Sequence, residues 1–188
     1  MKKSLIFVLM AILLVAVVVF AACNRDRKPN DDPDNQTQDK TILELYGDVK
    51  NAKNATQTIT IKNGAVEIAI ETFNYNFETG KVEITRKTLN TSDADELYTT
   101  TTETKDISGN ATAKLTKNLL SDVTETATTL KATVANANLN EVFGILPSDV
   151  QGDAKIELVA QNSHIVSITV NYTSSNGNAV QIVTNYVY

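Results

Sequence analysis

Residues 153–188 read DAKIELVAQNSHIVSITVNYTSSNGNAVQIVTNYVY, and their apolar side chains recur at every second position. Ile156, Leu158 and Ala160 form one row; Val166, Ile168, Val170 and Tyr172 form a second; Val180, Ile182, Thr184, Tyr186 and Tyr188 form a third. A period of two belongs to a strand that buries one face. Asn176-Gly177 supplies a turn between the second and third rows. The stretch predicts a three-strand antiparallel meander, with residues 180–188 as an integral closing strand.

Upstream lies ANANLNEVFGILP, residues 135–147. Asn138 is a cap residue, and Leu139, Val142 and Phe143 make a short apolar stripe. Gly144 ends the helix and Pro147 forbids its resumption. Val123–Val134 reads as one strand with threonine on one parity. Leu115, Leu119 and Leu120 read as a helical turn or a loop over an apolar opening. Leu97–Lys105 is rich in threonine and reads as an edge or solvated strand, after a polar loop at Asn90–Glu96.

At the domain's other end, Ile42, Leu45, Tyr46 and Val49 fall at i, i+3, i+4 and i+7. That spacing predicts a helix of about three turns with one apolar stripe. Thr41 and Glu44 make a capping-box pattern at its start. The period then switches to two, with Ile59 and Ile61, the pair Asn63-Gly64 as a tight turn, then Val66, Ile68 and Ile70. Phe73, Tyr75 and Phe77 sit on the opposite parity, so the strand carries a bulge, a bend or a change of face. Glu78-Thr79-Gly80 turns the chain into Val82 and Ile84.

The chain's first residues set its address. MKKSLIFVLMAILLVAVVVFAAC places Lys2 and Lys3 before an apolar run from Leu5 to Phe20, then Ala21, Ala22 and Cys23. A basic start, an apolar core and a small-residue exit are the parts of a secretory signal. Phe20-Ala21-Ala22-Cys23 resembles the lipobox of bacterial lipoproteins, with Phe20 where leucine is commoner. The resemblance implies cleavage between Ala22 and Cys23, diacylglycerol on the Cys23 thiol, and anchoring on the extracytoplasmic face of the cell membrane. An uncleaved N-terminal anchor with an incidental cysteine is the alternative. Residues 24–40, NRDRKPNDDPDNQTQDK, lack any aliphatic or aromatic side chain to offset the entropy of ordering, and read as a disordered tether. The organisation is thus signal 1–22, lipidated start and acidic tether 23–40, and one folded domain 41–188.

Composition narrows the chemistry. The whole chain carries a net charge of -5, and losing Lys2 and Lys3 makes the mature part more acidic. An acidic surface repels phosphate, which excludes nucleic acid as an expected partner and leaves the Cys23 lipid as the membrane contact. Cys23 is the only cysteine, so the domain has no intrachain disulfide and no thiol nucleophile. His164 is the only histidine, and Gln161-Asn162-Ser163 beside it is a turn composition, so it reads as an exposed loop residue. Ser92-Asp93, Ser121-Asp122 and Ser148-Asp149 lack a base and read as caps or turns. Asp31-Asp32-Pro33-Asp34 lacks the glycine and distal glutamate of a calcium loop. No catalytic residue, metal site or cofactor is expected.

The predicted order is helix, long antiparallel strands, short helix and closing meander. In residues 130–188, LKATVANANLNEVFGILP followed by the meander resembles the LolA-like family of lipoprotein and lipid carriers, which includes mycobacterial glycolipid-binding lipoproteins. The resemblance implies an α+β, mainly β fold, a curved antiparallel half-barrel with short helices packed on its concave side over an apolar cavity. The chain departs from the family in lacking tryptophan and in its threonine-rich central strands. The implied ligand is a lipid or acyl chain. The residues expected to line its site are Val66, Ile68, Ile70, Val82 and Ile84 on the sheet, with Leu119, Leu120, Val142, Phe143 and Leu146 gating the opening. A cell-surface interaction module, with the same residues as solid core, is the alternative.

Overall fold

The computed structural model describes residues 40–91, 97–107 and 115–188. The signal segment, Cys23 and residues 24–39 of the tether lie outside the described residues, as does most of the polar loop before Leu97. Among the described residues, nine strands form one antiparallel sheet: β1 (Asn54–Asn63), β2 (Val66–Asn76), β3 (Lys81–Leu89), β4 (Tyr98–Asp106), β5 (Leu120–Glu125), β6 (Thr129–Val134), β7 (Val150–Gln161), β8 (His164–Ser174) and β9 (Ala179–Val187). Their spatial order is β4-β3-β2-β1-β9-β8-β7-β6-β5. Among the described residues, two short α-helices, α1 (Ile42–Tyr46) and α2 (Leu139–Phe143), join the sheet with several 3-10 turns.

Each strand pairs with its chain neighbour except at one point. β4 and β5 follow one another in sequence but lie at opposite edges, while β1 pairs with β9. Following the antiparallel steps from β1 in each direction, β4 and β5 run the same way. The sheet is therefore a meander opened between β4 and β5 and joined at β1–β9.

The register carries the core across the seam. One row of cross-strand neighbours runs Ile84, Phe73, Gln57, Thr184, Ile168, Leu158, Leu130. The next runs Arg86, Glu71, Ile59, Ile182, Val170, Ile156, Ala132. Their apolar members are buried, and Ile42, Leu45, Tyr46 and Val49 join the same core, as do Leu139, Val142 and Phe143. The alternation read in residues 153–188 is this face.

The helical stripe at the start is buried as expected, but α1 has five residues rather than three turns. Gly47 weakens the helix, and the chain tightens after Asp48 into a 3-10 turn, Val49–Asn51, that still buries Val49. The capping box is present, with Glu44 N–H donating to Thr41 Oγ1 and Thr41 N–H to Glu44 Oε2. α1 is tied to the sheet edge by Ile42 N–H donating to Glu125 Oε1 at 3.1 Å. At α2, Asn138 makes no side-chain cap bond because its backbone is already helical within a preceding 3-10 turn. Gly144 ends α2 as expected, at φ +66, a conformation costly for any residue with a Cβ.

Two strand assignments change. The first hairpin turns on Gly64-Ala65, one residue later than Asn63-Gly64, because Asn63 pairs with Val66 and only Gly64 takes a positive φ. The segment Val123–Val134 is a hairpin, not one strand. Thr126 makes the turn with its own hydroxyl, which accepts from the Thr129 N–H at 3.0 Å, so no glycine or proline marks it. β9 is the integral strand expected, and it lies at the middle of the sheet between β1 and β8.

Candidate functional site

The β1–β9 seam is where the core face is least ordinary. The row that is apolar elsewhere becomes Gln57 opposite Thr184 there, with Gln57 Nε2 donating to Thr184 Oγ1 at 3.2 Å. Gln57 is 4% exposed, so its amide is held among apolar neighbours by that bond. Around this pair lies a crevice walled by Ile168, Val170 and Ile182, by Tyr75, Phe77 and Tyr186, and by Tyr46, Val49 and Phe143 from the helical segments. Lys50 stands among its lining residues. An apolar pocket with a few polar groups converging on it is the common form of a small-molecule site.

The aromatic wall is built by strand periodicity. Phe73 and Tyr75 project from one face of β2 and Phe77 follows in the turn after it; the three rings stack in series, with centroids 6.2 and 5.9 Å apart and planes within 11° and 6°. Burial pushes the Tyr75 hydroxyl up to about 12. It raises Tyr46 and Tyr186 further, and Tyr186 is also raised by the neighbouring hydroxyls of Tyr46, Tyr188 and Tyr75. All are neutral at physiological pH, so the crevice offers hydroxyl donors without charge. Its free volume is about 30 Å³, room for a few waters and too little for an acyl chain.

Of the residues expected to line a ligand site, Phe143 alone is part of this crevice. Val82 and Ile84 are buried on the core face nearer β4, and Val142 is wholly buried on α2. Leu119 and Leu120 are half-buried against the core. Leu146 is 44% exposed and Val66 54%, so neither gates an interior opening. The row Val66-Ile68-Ile70 is not one face. Ile61 pairs with Ala69 and Lys62 with Glu67, leaving Ile68 as the extra residue of a bulge. The bulge moves Ala69, Glu71 and Phe73 onto the core face and turns Ile70 away from it.

The parity slip at Phe73 was the visible signal for this site. What periodicity does not carry is that β1 lies beside β9, which brings Gln57 to Thr184 across residues far apart in the chain. Tyr46 belongs to the helix stripe and Tyr186 to a strand, as their spacing predicts, and nothing in either pattern indicates that they meet.

His164 is not an exposed loop residue. Asn162 and Ser163 make the turn at φ +52 and +61, and His164 opens β8. Its ring stacks on Tyr188 with centroids 4.3 Å apart. Its Nδ1 is buried without a hydrogen-bond partner among the described residues. Replacing His164 with Ala should therefore cost about 1 kcal/mol, the scale of an aromatic pair, and His164→Phe should restore most of it. Urea unfolding of the two variants measures this; a cost within the noise for Ala would show that the stack carries no stability.

Among the described residues no group of three or more His, Cys, Asp or Glu side chains is placed to hold a metal ion. No helix among them is long and apolar enough to cross a membrane.

No family model matches the chain, and no curated protein matches it. Solved structures similar to it include a redesigned β barrel, mFAP1, bound to DFHBI, at 12% identity over 78% of this chain and 99% of that one, with a TM-score of 0.27. A second redesigned β barrel, b11L5F_LGL, is 8% identical over 77% of this chain and 94% of that one, with a TM-score of 0.26. A bifunctional dehydratase-cyclase domain from ambruticin biosynthesis is 8% identical over 78% and 79%, with a TM-score of 0.24. Likeness at this level carries no argument about function, which rests on the crevice itself.

Proposed function

We propose that the protein is a non-enzymatic lipoprotein, anchored by a lipid on Cys23 to the extracytoplasmic face of the cell membrane, whose domain binds a lipid or acyl chain at the β1–β9 seam. In this reading the sheet is the half-barrel of the LolA-like carriers, and α1 and α2 plug its concave side. The observation that carries it is the crevice lining: an apolar wall, neutral tyrosine hydroxyls, the Gln57–Thr184 pair and a lysine. That set suits an amphiphile with an apolar tail and a polar or anionic head. Since the free volume holds only a few waters, the ligand enters by displacing the segment from α1 to Lys50, which shares no ladder with the sheet.

The same small volume favours a second reading, an interaction module with a solid core. Native mass spectrometry of the full chain extracted in mild detergent separates them. A co-purifying apolar mass, lost in a Thr184→Phe variant that fills the crevice, is the expected result; a clean apo mass for the unaltered chain supports the module. The anchor is tested apart from the ligand. Cys23→Ser should abolish incorporation of labelled fatty acid, and persistent labelling would end the lipobox reading.

A further inference from the structure

The two edges of the sheet are built differently. β5 has six residues, and its pairing with β6 breaks between Ser121 and Thr124, where Asp122 takes φ +51. A short, bulged edge resists the addition of another strand. β4 has nine residues in unbroken register with β3, from Lys81 opposite Asp106 to Leu89 opposite Tyr98. It has no proline, no bulge and five β-branched threonines, and none of its residues is buried. Among the described residues no strand lies on its outer side.

We infer that β4 pairs antiparallel with β4 of a second copy of this chain, about a twofold axis at Thr102. The sequence YTTTTETKD, residues 98–106, is self-compatible in that register. Thr102 meets itself, Thr100 meets Thr104, Thr101 meets Glu103, Thr99 meets Lys105 and Tyr98 meets Asp106. No two like charges stand opposite, and threonine pairs are favourable cross-strand neighbours. Centring on Glu103 instead would set two carboxylates face to face.

The charges of β4 are also settled within each copy. Glu103 accepts from Arg86 and from Lys105, the latter at 3.0 Å, and Asp106 pairs with Lys81. The strand thus brings little net charge to the contact. Pairing by an even register keeps the core faces of the two sheets on the same side, so the joined sheet is continuous. Because the bulge in β5 bars β4–β5 addition, the contact closes at two copies and does not propagate as a filament.

The test is oxidative cross-linking of the full chain in detergent. Directly opposed strand residues lie within disulfide reach. Thr102→Cys should give a covalent dimer in several-fold higher yield than Thr100→Cys or Thr104→Cys alone, with the unaltered chain as the background for Cys23. Mixing the Thr100→Cys and Thr104→Cys chains should restore the dimer. Thr102→Lys, which sets two ammonium groups together at an exposed position, should halve the mass seen by light scattering while leaving the thermal transition in place. A chain that is already monomeric by light scattering, or cross-linking with no preference for position 102, overturns the inference.

Discussion

A chain ending at Gly177 will show no cooperative thermal transition and will aggregate. The deletion removes β9, which pairs along its length with β1 on one side and β8 on the other. Without it, β1–β4 and β5–β8 share no ladder, and two new strand edges are exposed. Val180 and Ile182, 3% and 2% exposed, leave the core along with half-buried Tyr186. Full burial of one such aliphatic side chain is worth about 1.5–3 kcal/mol. The three together approach the roughly 5–15 kcal/mol by which an ordinary domain is stable. Calorimetry and size exclusion of the full and truncated chains decide the matter. A sharp transition near that of the full chain would mean that the β1–β9 seam does not hold the domain together.

That deletion also marks how much of the fold the sequence discloses. Periodicity locates β7, β8 and β9 and shows that β9 is a true strand to its end, because alternation is a local property of each strand. The same signal does not say which strands lie beside β9. Its pairing with β1 joins residues more than a hundred positions apart, and no side-chain pattern within either strand encodes it. The hairpin at Thr126 was hidden for a different reason: a hydroxyl bonded to backbone N–H groups does the work usually signalled by Gly or Asn. The bulge at Ile68 was half visible. The change in aromatic parity announces it, while its position depends on how β2 meets β1. The crevice inherits these limits, since each of its walls is legible and their meeting is not.

One buried charged group stands apart from the apolar pattern, and removing its partner gives the second large effect. Glu71 lies on the core face of β2, 3% exposed, with its Oε1 accepting from Arg86 Nε at 3.1 Å. Arg86 reaches Glu103 on β4 through its other arm. Burial raises the Glu71 carboxyl above the ordinary carboxylate range, and the Arg86 charge and hydrogen bond pull it back. Arg86→Met leaves Glu71 without its counter-charge, and breaking a buried pair in this way costs about 3–5 kcal/mol at neutral pH. In the variant the carboxyl rises further. A group whose folded pKa exceeds its unfolded one binds its proton more tightly when folded, so stability falls as pH rises from the unfolded value through the folded one. The cost should therefore shrink in acid, where Glu71 is neutral, and be complete above the raised pKa. Glu71→Gln combined with Arg86→Met removes the unpaired charge and should recover most of the loss at neutral pH. Urea unfolding of the full chain at about pH 4.5 and about pH 7.5 reads both effects. An equal cost at the two pH values, or no recovery in the double variant, would show that the guanidinium contributes packing alone and that Glu71 does not depend on its charge.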